Sequence, residues 1–428
     1  MALFAKKNSP MLIIGFLFFV FGFVSWLNAI LIPYFRLSLQ LSINEAMMVT
    51  FAFYISYFVM AFPSSRILRV TGFKKGMMYG LFVMAAGAIL FIPAANFKSY
   101  TLFLTGLFVQ ATGLTLLQTA ANPYVTILGP MESAAKRMSI MGICNKIAGA
   151  FAPLIFLKIV TKTPDEIDHV KKLLPLLSPL KAQEVMTDLI HRMVMPYFSL
   201  GIILVFLGLL VRYSSLPDIK EQQTTDTGRS TIKARYLLLG AIAIFCGVSA
   251  EVLAVDTIIS FAEYKGVPFY NAKYFATFTL VAMIIAYLIG IIAIPRYIKQ
   301  RMALFYSSAA GLLITCGLLF TPGKWAIWEL VLAGFFNALL WPSIWPLALE
   351  GLAADIKRAS AYLVTGIVGG ALTPLLFGSI AGRLGLQQAY VVMFPLYVFL
   401  LYYSSWGYAG IQQYLVSVKQ PEKKPVLN

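Results

Sequence analysis

Apolar runs of about twenty residues recur from one end of this 428-residue chain to the other, each long enough to cross the ~30 Å hydrocarbon layer of a bilayer. Inside such a layer a backbone satisfies its own amides only as helix or closed barrel, and runs of this length fit helices. Composition agrees. Hydrophobic residues make up 60% of the chain and charged residues only 12%, about half the charge of a soluble domain. Twelve spans are expected, at 11–35, 44–68, 76–97, 100–128, 137–160, 192–213, 236–261, 271–295, 303–321, 325–349, 360–382 and 388–410. The expected fold class is therefore an all-α polytopic membrane protein. Lys6 and Lys7 precede a first apolar run with no small-residue cleavage site, the pattern of a retained span and not of a signal peptide.

A formal charge of +17 would suit nucleic acid, but the placement of the basic residues points to a bilayer and no nucleic-acid partner. With the N terminus cytoplasmic, Lys6, Lys7, Arg66, Arg69, Lys74, Lys75, Lys136, Arg137, Arg212 and Arg301 fall on inner segments, the bias that orients membrane helices. Both termini are then cytoplasmic. Trp325 and Trp328 open the tenth span where an outer aromatic belt belongs. Loop 161–191 is amphipathic and charged, and is expected to form an outer surface helix. Cys144, Cys246 and Cys316 all fall inside apolar runs, so no disulfide framework is indicated. His169 and His191 share one loop and leave little for a histidine metal site. Neither a metal nor an organic cofactor is expected.

The halves of the chain repeat each other. Lys136-Arg137 precedes Pro153-Leu-Ile-Phe156 as Lys357-Arg358 precedes Pro374-Leu-Leu-Phe377, at a constant offset of 221, and Gly149-Ala150 maps onto Gly370-Ala371 at the same offset. Asn122-Pro123 and Trp341-Pro342 correspond after a two-residue gap. A polar stretch, 214–235, separates six spans from six. The expected organisation is a six-helix bundle over 1–213, a cytoplasmic linker over 214–235, and a second bundle with a cytoplasmic tail over 236–428. Such a duplication implies pseudo-two-fold symmetry and a site near the midplane between the bundles.

Ala111–Pro130 carries the clearest functional stripe. Thr115, Gln118, Thr119, Asn122 and Thr126 fall within about 100° of arc on an otherwise apolar helix, closed by Asn122-Pro123. A helix–helix contact could use such residues, but five aligned hydrogen-bonding side chains fit a wall of an aqueous cavity. Ser25 and Asn28 stand a turn apart in the first span; Thr50, Phe53, Tyr54 and Tyr57 share a face of the second; Asn337, Trp341 and Trp345 stripe the tenth. Amides exchange hydrogen bonds with hydroxyls, and aromatic faces stack on the CH face of a sugar ring. An anionic substrate would call for arginine, and none sits inside a span away from its ends. Lys146, Glu251 and Asp256 are ionisable groups set inside the spans. Charge there costs about 2.5–3.5 kcal/mol, so each needs a structural partner or a role in coupling or gating. Five residues, about 140°, separate Glu251 from Asp256, so an unbroken helix points only one of them at a cavity.

The segments LNAILIPYF (27–35), QTAANPYVTILGP (118–130) and KRMSIMGICNKIAGAFAPLIF (136–156) resemble the fucose–galactose–glucose:proton symporter branch of the major facilitator superfamily. The likeness covers nearly the whole chain. FGFVSWLN, QTAANPYV and SIMGICNK are similar to the branch associated with N-acetylglucosamine and to hexose permeases. The superfamily's loop after the second span is degenerate in SRILRVTGFKKG (65–76), where Arg69 replaces the usual Asp. The family's proton-handling acids correspond to Ala29 and Gln118, so the usual proton route has lost both of them. The resemblance implies a bacterial inner-membrane carrier importing a neutral sugar by alternating access, coupled to H+ or Na+.

Asn28, Tyr54, Gln118, Asn122, Asn145, Asn337, Trp341 and Trp345 are the expected substrate-binding residues, with Lys146, Glu251 and Asp256 for coupling or gating. The chain is expected to act as a monomer. A uniporter is the alternative, because the family acids are missing. A channel suits two similar halves less well, and an enzyme would need a nucleophile–base pair or metal set.

Overall fold

The computed structural model describes residues 2–128, 134–214, 216, 234–294, 296–349 and 356–408, and these are helical throughout apart from short turns. The first span is a rod broken at Leu27 into α1 (Ala2–Trp26) and α2 (Asn28–Ser38). A capping box between Ser42 and Glu45 opens α3 (Ile43–Ile89). Gly72 interrupts α3 at φ 77°, ψ 172°, a conformation that essentially only glycine tolerates. Next come α4 (Phe91–Asn96), α5 (Tyr100–Ile127), α6 (Ala134–Val160), α7 (Glu166–Leu173), α8 (Pro179–Arg192) and α9 (Val194–Tyr213). After the 214–235 stretch, which lies almost wholly outside the described residues, follow α10 (Ala234–Asp256), α11 (Ile258–Tyr264), α12 (Phe269–Ala293) and α13 (Gln300–Phe320). The chain continues through α14 (Trp325–Asn337), α15 (Leu340–Leu349), α16 (Ile356–Thr365), α17 (Gly369–Leu384) and α18 (Met393–Tyr402).

Among the described residues, eleven segments are long and apolar enough to cross a membrane. One of them, Ile43–Asn96, has 54 residues, about 80 Å at helical rise and more than twice the hydrocarbon thickness. It covers the two expected spans 44–68 and 76–97, with Gly72 between them. The lateral surface suits lipid: Ile202, Phe206, Ile292, Leu313 and Phe320 are exposed, far more apolar surface than a water-soluble monomer carries. Trp325 and Trp328, at the head of α14, are exposed too.

Two local expectations change. Asn122-Pro123 does not close its helix, because α5 carries Pro123 inside it and continues to Ile127. Loop 161–191 forms two helices where one was expected, since Pro175 lies in a 3₁₀ turn, Leu174–Leu176, and Pro179 starts α8. This loop is also more than a surface decoration. Arg192 holds it together, donating to Glu166 at 2.8 Å and pairing with Asp188. The Asp168 carboxylate accepts from the backbone amides of Phe269 and Tyr270 at 2.9 and 2.8 Å, filling donors that the start of α12 leaves open. Lys171 pairs with Glu263 of α11, and Tyr34 of α2 donates to the Leu189 carbonyl at 2.7 Å.

The helices that frame the interior pack α1 on α6, α3 on α5, α6 on α12, α3 on α16 and α17, and α2 on α10 and α11. Close backbone approach sets the α1–α6 contact. A Cβ at Gly22 would lie 1.8 Å from the Asn145 carbonyl oxygen. That spacing brings Trp26 over Gly149, where an added Cβ would stand 2.3 Å from the indole.

Candidate functional site: a central polar cavity

Where α1, α3, α5, α6, α10, α12 and α15 converge they enclose a cavity with about 110 Å³ open to the centres of water molecules. At about 10–15 Å³ per water, it holds several. Its wall includes Ser25, Trp26, Tyr54, Tyr57, Gln118, Asn122, Asn145, Lys146, Glu251, Tyr287 and Trp341.

One connected set of side chains organises this wall. The Trp26 indole N–H donates to Asn145 Oδ1 at 2.9 Å, and Asn145 Nδ2 donates to the Phe18 carbonyl at 3.4 Å. The ring so fixed carries the Lys146 ammonium 4.0 Å from its centroid, a cation–π contact. Lys146 also forms an ion pair with Glu251. The pair joins α6 to α10, and its side chains are only 4% and 12% exposed. A charge so deeply buried is tolerable when paired, and each partner here supplies the other's neutralising charge.

The remaining wall is neutral. Gln118 and Asn122 stand one turn apart on α5. Tyr54 stacks with Tyr57, centroids 6.0 Å apart and planes 24° apart, and its ring covers Gly370, where a Cβ would come within 2.7 Å. Trp341 stacks on Trp345 at 5.2 Å and 24°. Tyr287 fills the space opposite Gly142, 2.7 Å from where a Cβ would be.

Of the residues expected at the substrate site, the structure brings Tyr54, Gln118, Asn122, Asn145 and Trp341 to one cavity, together with Lys146 and Glu251. Four others lie off its wall. Asn337 is bound internally: its Nδ2 donates to the Ala250 carbonyl at 3.0 Å and its Oδ1 accepts from the Tyr397 hydroxyl at 2.7 Å. Trp345 is fully buried behind Trp341. Asn28 and Asp256 are buried with no partner for any side-chain oxygen or nitrogen. Thr115 and Thr119 of the α5 stripe do not line the cavity and bond back to their own helix. Thr115 donates to the Ala111 carbonyl at 2.8 Å and Thr119 to the Thr115 carbonyl at 2.7 Å. The Thr126 side chain lies outside the described residues, as do those of Lys357 and Arg358.

Tyr57, on the face of the second span that the sequence marks, also lines the wall, whereas Trp26 and Tyr287 are wall residues that sequence reasoning did not select. Trp26 had a usable signal, since it directly follows Ser25 in the same polar patch of the first span. Tyr287 is a lone hydroxyl in an apolar run, and only the packing of α12 on α6 gives it a place.

A family profile for the Major Facilitator Superfamily matches residues 14–362. The chain belongs to this superfamily, a family of transporters, and is a multi-pass membrane protein. Among its curated relatives is the glucose/galactose transporter of Brucella abortus biovar 1 (strain 9-941), 31% identical over 397 residues and covering 91% of this chain and 92% of that one. The L-fucose-proton symporter of Escherichia coli (strain K12) is 29% identical over 388 residues, covering 88% of this chain and 87% of the symporter. Among solved structures, the transporter FucP in its outward conformation aligns with a TM-score of 0.76 at 26% identity, covering 94% of this chain and 99% of FucP.

Proposed function

We propose that this protein is a secondary transporter that carries a neutral sugar across the bacterial inner membrane by alternating access. The observation that supports this most is the chemistry of the central cavity. Amides and tyrosine hydroxyls supply neutral donors and acceptors, aromatic rings supply flat apolar faces, and the one ion pair on the wall is internally neutralised. That combination suits a polyhydroxylated, uncharged ring. Names of relatives point the same way, to glucose, galactose and fucose, and N-acetylglucosamine is the further candidate suggested by the sequence.

In this reading Ile43–Asn96 crosses twice, giving twelve spans in two six-helix bundles, 1–213 and 236–428, with 214–235 as cytoplasmic linker and both termini cytoplasmic. The cavity lies between the bundles, and the transporter works as a monomer. Gln118, Asn122 and Asn145 hydrogen-bond the sugar, while Tyr54 and Trp341 pack on its ring. Asn28, Asn337 and Trp345 act from behind the wall in the conformation described here. The Lys146–Glu251 pair ties one bundle to the other and gates the cavity. Transport is cation-coupled, as in the relative named a proton symporter.

A uniporter is the second reading, supported by Ala29 and Gln118 standing where the family carries acids. Two measurements on purified protein separate the outcomes. A binding screen over D-glucose, D-galactose, L-fucose and N-acetylglucosamine is expected to retain at least one sugar, and retention of none would end the proposal. Uptake into proteoliposomes under imposed proton or sodium gradients is expected to exceed equilibration, whereas a uniporter stops at it.

A further inference from the structure

Asp256 is the last residue of α10, and the helix breaks immediately after it at Thr257 before resuming as α11. Its side chain is 1% exposed and both carboxylate oxygens lack a hydrogen-bond partner. Neighbouring groups are engaged elsewhere. The Thr257 hydroxyl donates to the Leu253 carbonyl and lies 2.7 Å from the Tyr390 hydroxyl. Lys146 belongs to Glu251. The ionisable groups within electrostatic reach of Asp256 among the described residues are Glu251 on its own helix, Lys146 on α6 and Tyr54 on α3, and Tyr287 of α12 faces Glu251. Lys146 and Glu251 cancel, so this cluster holds one acid more than it can neutralise. Asn28, opening the neighbouring helix α2, is a second buried side chain with neither amide atom bonded. A bare carboxylate in such a place is costly, and a carboxyl group carrying a proton is far less so.

The position of Asp256 matters as much as its isolation. Val252, one turn before it, lines the central cavity. Ser260, one turn after it, lines a separate recess of about 500 Å³ between α2, α7 and α11, at the end of the molecule strapped by Lys171–Glu263. Asp256 thus stands about 6 Å along α10 from Val252 on the cavity wall, and four residues from Ser260 on the recess. A group in that place can face either one as the molecule alternates.

We infer that Asp256 is the proton-carrying carboxyl of the transport cycle, taking a proton from the recess side and releasing it to the central-cavity side. The inference rests on the transport reading above. The only bond that forms and breaks is O–H: carboxylate plus proton gives the carboxyl on one side, and the reverse occurs on the other. It places coupling at a site different from the positions of Ala29 and Gln118, where the family acids are missing.

The test uses the full chain in proteoliposomes with a pH indicator in the lumen and whichever of D-glucose, D-galactose, L-fucose or N-acetylglucosamine the protein binds. Wild-type protein is expected to accumulate the sugar under an inward proton gradient and to acidify the lumen when sugar is added. Asp256→Asn is expected to lose both accumulation and acidification while still exchanging labelled for unlabelled sugar; Asp256→Glu is expected to keep both. Proton-coupled accumulation by Asp256→Asn overturns the inference. So does accumulation driven by sodium without proton flux, or wild-type exchange that never accumulates under either gradient. Absence of any sugar exchange by the wild type overturns the transport reading itself, a distinguishable result. If Asp256→Asn does not fold, Asp256→Glu decides: its longer carboxyl is expected to shift the pH dependence of accumulation, and an unchanged profile counts against the inference.

Discussion

Gln118 and Asn122 project from consecutive turns of α5 to the cavity wall, so each can hold one hydroxyl of a bound sugar. Loss of one buried hydrogen-bonding partner costs about 1–3 kcal/mol, or roughly tenfold to a hundredfold in affinity. Gln118→Ala is therefore expected to raise the dissociation constant by that factor in a titration of the purified protein, with membrane insertion unaffected. Lys146 tests a different kind of interaction. Lys146→Ala strands the Glu251 carboxylate in a buried site, a loss of about 3–5 kcal/mol. Thermal unfolding in detergent is expected to show that loss, and to show most of it regained in Lys146→Met/Glu251→Leu, where no charge remains to be neutralised. Equal destabilisation by both variants would show that the pair is not an isolated two-group interaction.

Between helices the controlling features are glycines at close approaches. Gly22→Ala forces α1 away from the Asn145 carbonyl, and overpacking of this kind costs about 1–3 kcal/mol. A lower melting temperature and a weaker Trp26–Asn145 contact, visible as altered tryptophan fluorescence, are expected. The helices themselves were legible in the sequence because a span's length and apolarity are local properties, set by bilayer thickness. The Gln118–Asn122 and Lys146–Glu251 positions were legible for a related reason, since a polar group in an apolar run stands out. Direction was harder. Thr115 and Thr119 lie on the same arc as Gln118, yet their hydroxyls bond back to their own helix, a choice that periodicity does not encode. Asn337 and Trp345 sit on the predicted stripe but off the cavity wall, in contact with Tyr397 and Trp341. Trp26 and Tyr287 depend on which helices meet, and that is a tertiary fact. The break of loop 161–191 at Pro175 was present in the sequence as a residue that interrupts a helix.

For the whole molecule, the loop formed by α7 and α8 ties α2 of the first half to α11 and α12 of the second. Asp168 caps α12, and Lys171 reaches Glu263 across the recess. Both partners of that pair are partly exposed, 32% and 22%, so the pair contributes at most about 1 kcal/mol. Lys171→Ala is expected to speed modification of a cysteine introduced as Ser260→Cys by a membrane-impermeant maleimide, by up to about fivefold for that energy. An unchanged rate would show that this pair does not limit access to the recess. Carrier behaviour itself is best read from counterflow. Proteoliposomes containing the wild-type protein are loaded with unlabelled sugar and diluted into a trace of the same sugar, labelled, with no ion gradient imposed. A transporter that exposes one cavity alternately to each side is expected to draw label inward to a transient overshoot above its external concentration, and Gln118→Ala should need a higher sugar load to produce it. Label that rises only to equilibrium, with no overshoot at any load, would contradict alternating access by this protein.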